Sequence, residues 1–305
     1  MKKIIYWISC FVAIGCLTAC HKTSQKTSDK EGLKIVTSFY PIYAMTKEVS
    51  GDLNDVRMIQ SSQGIHGFEP SVSDVHAIYD ADVFIYHSHV LESWAGRLDP
   101  TESKSDVTFI EASKGLELQR VEGLEDIEVG EGIDEATLYD PHTWLDPVLV
   151  ADEVEHIAQE LSQLDPEHAD SYQKNADKMK AEALELVDQF SPLFASASRK
   201  TFVTQHTAFA YLAKRFGIQQ LGILGVSEEE PSPRQLSEIK DFIEEYNVKT
   251  IFVERGSSDK MAQALKTSTG VKTKILEPLE ADPQNHKSYL ENLKHNLTVL
   301  ARDLK

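Results

Sequence analysis

Four residues, far apart in this chain, each sit in a local setting suited to metal ligation. They are His66 in GIHGFEPS, His142 in DPHTWLDP, His206 in TQHTAF and Glu280 in LEPLEADP. Three imidazoles and one carboxylate make a closed, borderline-soft tetrahedral donor set, which suits Zn(II). A catalytic zinc keeps one coordination position for water, so four protein ligands describe a site that binds and does not react. The chain contains no HExxH, GxSxG or P-loop pattern, and it reads as a non-enzyme.

Each candidate has its own local logic. His66 lies between Gly64 and Gly67, which let the backbone turn and bring the ring close to a ligand. Pro141 and Pro147 stiffen the segment around His142, while Trp144 and Leu145 would anchor it in the core. His206 is expected to follow a TFVT strand and to precede an apolar helix. A cation is disfavoured at a helix N-terminus, so a carboxylate must compensate there. LEPLEAD offers Glu277, Glu280 and Asp282; Glu280 is favoured and Asp282 comes next. His87 and His89, in YHSHVLESW, read as a polar rim of the same cleft rather than as ligands. A site of this kind should lose metal as its histidines protonate, from about pH 6.5 downward.

The elements that must position these residues alternate between strand and helix. In the first half, KIVTSF, 56–60, ADVFIY and VTFIE read as buried strands, with helices over 41–49 and 71–79. Residues 115–141 are acidic and Gly-punctuated and read as a long surface loop. Two helices, 148–164 and 166–190, follow Pro147, and the second is long enough to bridge two domains. Strands at TFVT, 220–225, TIFVE and 274–276 then alternate with helices up to a terminal amphipathic helix. The expected fold class is therefore α/β, with two lobes, each a mostly parallel sheet flanked by helices, joined by one long rigid helix. The expected boundaries are 1–19 for a signal peptide, 20–32 for a flexible tether, 33–164 for the first lobe, 165–192 for the linking helix and 193–305 for the second lobe.

The N-terminus places this body outside a membrane. Lys2 and Lys3 precede an apolar stretch of about a dozen residues, too short to span a bilayer, which ends in Leu17-Thr18-Ala19-Cys20. This arrangement resembles a bacterial lipobox, with cleavage before Cys20 and lipid on its sulfur. The three cysteines, Cys10, Cys16 and Cys20, all belong to that leader. The mature body therefore has no thiol for a metal site and no disulfide. The formal net charge of −18 becomes −20 without Lys2 and Lys3, 29 Lys and Arg against 49 Asp and Glu. Such a surface repels nucleic acid and gathers cations.

With these residues in view, the chain resembles the metal-binding lipoproteins of bacterial ABC importers for zinc and manganese, and within that family its streptococcal laminin-binding, zinc-binding branch. The resemblance runs from LTAC to the C-terminus and is carried by VTSFYPIYAMTKEVSGD, GIHGFEPS, DPHTWLDP, TQHTAFAYLAKRFG and PSPRQL. It implies a metal in the cleft between two lobes, held by His66, His142, His206 and an acidic residue placed at Glu280. Manganese-preferring relatives tend to carry a carboxylate at the third position, so His206 points to zinc. Many zinc-binding relatives have a histidine-rich acidic loop, whereas the matching stretch here has no histidine. The implied role is that of a monomeric, extracellular, lipid-anchored zinc receptor delivering to an ABC permease at the cell membrane. A surface adhesin for laminin and a manganese receptor are the alternatives.

Overall fold

A computed structural model of the chain describes residues 32–59, 65–98, 105–121, 138–256 and 258–305. The lipobox with Cys20, the tether to residue 31 and the acidic residues 122–137 lie outside the described residues.

Among the described residues, eight short strands form two separate four-stranded sheets. The first comprises β1 (Lys34–Thr37), β2 (Asp55–Met58), β3 (Val83–Tyr86) and β4 (Thr108–Glu111) in the order β2-β1-β3-β4. The second comprises β5 (Thr201–His206), β6 (Gln219–Leu224), β7 (Thr250–Val253) and β8 (Lys272–Ile275) in the order β6-β5-β7-β8. Every pairing is parallel. Parallel strands need crossover connections, and helices supply them: α1 (Tyr40–Ser50), α2 (Val72–Tyr79), α5 (Ala210–Arg215), α6 (Pro233–Glu245) and α7 (Lys260–Thr269). Central strands are covered on both faces, which is why VFIY and the IFV of β7 are apolar. Strand order reverses between β1 and β3 in one sheet and between β5 and β7 in the other. Open α/β sheets present ligands at the C-terminal ends of strands beside such switch points.

Helix starts follow local chemistry. Ser71, Ser232 and Ser288 each cap a helix in a reciprocal box with the third residue on, Asp74, Gln235 and Glu291. Asp146 accepts from the Val148 amide at 2.9 Å to open α3 (Pro147–Leu164). Pro166–His168 forms a 3₁₀ turn that leads into α4, Ala169–Ala195, 27 residues and about 40 Å long. α4 joins the two sheets. Near its start Asn175 donates to the Val49 carbonyl at 3.0 Å, and Asn54 to the Tyr172 hydroxyl at 2.9 Å. Near its end the Phe194 ring packs 5.0 Å from Phe216. The terminal helix α8 (Tyr289–Asp303) lies against it.

One continuous apolar core runs across the join. Phe39, Met45, Trp144, Tyr172, Phe194, Phe202, Phe209, Leu293 and Leu297 belong to a single buried cluster drawn from both halves. The ends of the acidic loop also meet: Arg120 and Tyr139 pair as an antiparallel bridge, with the guanidinium 4.9 Å from the ring centroid. Among the described residues no helix is long and apolar enough to cross a membrane.

Two sequence expectations change. β5 continues two residues past TFVT, so His206 is the last residue of the strand, and the next helix begins only at Ala210. The helix-dipole penalty expected for His206 therefore does not apply. Asp140, grouped above with the solvated acidic loop, is 2% exposed because Tyr211 and the His142 segment close over it.

Candidate metal centre

Four segments converge where the two sheets face each other. One ligand atom from each of His66, His142, His206 and Glu280 lies within 4.8 Å of all the others. Nε2 of His66 and Nε2 of His142 are 3.2 Å apart. Oε1 of Glu280 stands 3.5 Å from each of those nitrogens and 3.4 Å from Nδ1 of His206. His142, His206 and Glu280 are buried and His66 is nearly so.

Local structure explains each position. Ile65, 1% exposed, plugs the core, and Gly67 takes φ +71° in a turn closed by the Phe68 amide on the Ile65 carbonyl at 3.0 Å. Few residues other than glycine adopt that conformation, and the turn holds His66 at the rim of its sheet. His142 precedes the 3₁₀ turn Thr143–Leu145, whose Trp144 and Leu145 are fully buried. Glu280 follows Leu279, which takes φ +60° while 98% buried, a strained backbone held by its surroundings. Of the three acidic candidates in that segment, Glu280 alone joins the histidines. Glu277 receives Arg255 Nε at 3.2 Å, and Asp282 accepts the Gln284 amide at 2.8 Å in a surface turn.

Hydrogen bonds select the tautomers. Nδ1 of His142 donates to Asp140 Oδ1 at 2.7 Å, leaving the Nε2 lone pair for the centre. Nε2 of His206 lies 3.1 Å from the Val226 carbonyl and donates to it, which leaves Nδ1 facing Glu280 and also Glu254 Oε1 at 3.2 Å. Cross-links between the halves brace the same segment. Tyr211 donates to the Asp140 carbonyl at 2.7 Å, Arg215 grips both Asp146 oxygens at 2.9 and 3.0 Å, and Trp144 Nε1 donates to the Pro278 carbonyl at 2.9 Å.

The electrostatics are those of a charged cage. Burial alone would lower His206, but hydrogen bonding to Glu254 and the charge of Glu280 outweigh it and raise the imidazole to about 9. Burial likewise opposes protonation of His142, yet Asp140 raises it above its usual value. Burial would raise Glu280, but contacts with His142 and His66 hold it well below the ordinary carboxylate range. A buried anion there is stable only because side chains paired with it offset the loss of water. A dication entering there displaces protons, and their competition begins well above the pH 6.5 expected from unperturbed histidines.

His87 is not a rim residue. It is fully buried, with Nε2 2.7 Å from the Thr143 hydroxyl and 3.3 Å from Glu153 Oε1, and its ring stands edge-on to Trp144 at 5.0 Å. It braces the turn behind His142 and takes no part in the cluster. His89 is exposed and paired with Glu111 at 2.9 Å. Sequence reasoning missed Asp140, Glu254 and Tyr211. The acid two positions before His142 was the one available signal; the other two act through long-range contacts.

Two parallel sheets bridged by a long helix, with a histidine–carboxylate cluster where they face each other, define a bilobal class of substrate-binding proteins. A model of the zinc-uptake complex component A, periplasmic (ZnuA), matches residues 35–303, and the chain belongs to that family. It is 36% identical to the high-affinity zinc uptake system protein ZnuA of Bacillus subtilis, covering 98% of each chain. Against the zinc-binding lipoprotein AdcA of Streptococcus pneumoniae it is also 36% identical, over 98% of this chain but only 60% of that protein's length. Among solved structures, a Zn(II)-bound variant of AdcAII from Streptococcus pneumoniae is 63% identical, with a TM-score of 0.86 over 90% of this chain and 99% of that one. The laminin-binding protein Lmb of Streptococcus agalactiae, described as having adhesin and metal-transporting activity, is 60% identical, with a TM-score of 0.83 over 90% of this chain and all of that one.

Proposed function

We propose that the chain captures Zn(II) with His66, His142, His206 and Glu280 and delivers it to an ABC permease, while lipid on Cys20 tethers it to the outer face of the cell membrane. In this reading residues 33–164 and 193–305 are the two lobes and 165–192 the link between them. The observation that carries the reading is the convergence of three imidazoles and one carboxylate, from four distant segments, within 4.8 Å. Three nitrogens and one oxygen suit tetrahedral zinc better than the oxygen-rich octahedral shell of manganese. Four protein ligands also leave no position for a reactive water. Isothermal titration with Zn(II) of the chain and of its His142→Ala variant tests this: tight one-to-one binding should collapse in the variant, and equal affinity would refute the assignment.

A second activity, adhesion to laminin, is supported by the likeness to Lmb of Streptococcus agalactiae. It would use the outer surface, so laminin binding should survive His66→Ala with His206→Ala. Loss of laminin binding in that folded variant would count against a separate surface.

A further inference from the structure

The switch point of the second sheet carries more chemistry than the four-residue cluster uses. β5 ends in His206, and Glu254 directly follows β7 beside it. Nδ1 of His206 faces two carboxylates at once, Glu254 Oε1 at 3.2 Å and Glu280 Oε1 at 3.4 Å. With Glu228, from the loop after β6, His206 and Glu254 form a second group whose ligand atoms lie within 4.8 Å of one another. Burial decreases outward through this group: His206 is buried, Glu254 half-buried and Glu228 exposed.

A cavity of about 530 Å³ adjoins it, with carboxylates outnumbering Arg255 and Lys260 five to two on its wall. Gln205 lines the same cavity and is 2% exposed. Its Nε2 donates to the Ser258 carbonyl at 2.7 Å, yet its Oε1 has no hydrogen-bond partner. A buried amide oxygen without a donor is costly unless something electropositive visits it.

We propose that Glu228, Glu254 and His206 form a staging site for a divalent cation, which the ion occupies before it moves to Glu280, His66 and His142. This rests on the zinc-capture reading above. Because His206 belongs to both groups, one ion is held at a time, and transfer exchanges Glu228 and Glu254 for the inner ligands around a ring that stays in place. The Val226 carbonyl holds that ring through Nε2, two residues from Glu228. A hydrated dication that entered a buried site in one step would lose all its water before gaining ligands. An exposed and a half-buried carboxylate replace that water in stages, and their field raises the local cation concentration. The same route, reversed, serves release.

The test uses Zn(II) alone on the full chain. With His66→Ala, His142→Ala and Glu280→Gln combined, one equivalent should still bind, more weakly than to the unsubstituted chain. Adding Glu228→Gln should weaken that residual binding at least about tenfold, the scale expected for loss of a metal-supporting group. In the otherwise unsubstituted chain, stopped-flow mixing should show Glu228→Gln slowing zinc capture far more than Glu230→Gln, which removes a neighbouring charge outside the group. No residual binding in a folded triple variant, or equal slowing by the two single variants, would overturn the staging site. Failure of the unsubstituted chain to bind zinc would instead overturn the functional reading itself.

Discussion

Trp144 and Pro278 tie the two halves of the centre together through one hydrogen bond: the indole Nε1 donates to the Pro278 carbonyl at 2.9 Å. Trp144 lies two residues after His142 and Pro278 two residues before Glu280, so this bond sets the separation of two proposed ligands. Trp144→Phe keeps most of the apolar volume and orphans the buried carbonyl, at a cost of roughly 1–3 kcal/mol. Denaturant unfolding should show that loss, together with a weaker zinc affinity. Unchanged zinc affinity would mean that the bond does not position the site.

Asp140 should matter to binding without touching the ion. Its Oδ1 accepts from both Nδ1 and the backbone amide of His142, at 2.7 and 2.9 Å. Asp140→Ala is expected to cost roughly ten- to a hundredfold in zinc affinity. Asp140→Asn, which keeps an acceptor, should fall at the mild end, as competitive titration would show.

The pH dependences of affinity and stability should run in opposite directions. His206 is raised to about 9 without metal, so that zinc binding releases its proton. Affinity should then climb about tenfold per pH unit until pH 9 and flatten there. The raised pKa stabilises the metal-free fold fully below the unfolded value near 6.5. That contribution, of the order of 3 kcal/mol, is lost as pH rises through 9. Titration in buffers of different ionisation heat should detect the released proton, and thermal melts of the metal-free chain should decline from pH 6.5 to 9.

Zinc should also raise the melting temperature. Free metal at a thousand times its dissociation constant adds about 4 kcal/mol to a fold that binds it only when native. The gain at the same free zinc concentration should shrink in Glu280→Gln, and calorimetry with and without a chelator measures it.

Much of this architecture is legible in the sequence. Alternating strands and helices mark two parallel layers because buried parallel strands are near-continuous apolar runs, as VFIY and IFV are. Pro147, Pro166 and Ser71 mark helix starts through steric and capping chemistry that acts within four residues. The three histidines and the acidic segment stood out because their contexts are rigid and local. The end of β5 was set too early, since only pairing of His206 with Leu224 on β6 extends the strand that far. Asp140 was misjudged for a similar reason: its burial depends on Tyr211, 71 residues away. His87 reads in the sequence as part of a polar rim, and only its long-range contacts with Thr143 and Glu153 account for its burial. What was missed depends on tertiary contacts that no local pattern encodes.

The unbroken apolar cluster that runs from Phe39 through Trp144 to Leu297 bears on how cargo leaves. Prising the halves apart like a clamshell would wet Trp144 and its fully buried neighbours, a penalty of many kcal/mol at about 25 cal/mol per Å² of apolar surface. Under the proposed function, unloading is therefore a matter of loops and side chains at the mouth, with the body behind it left whole.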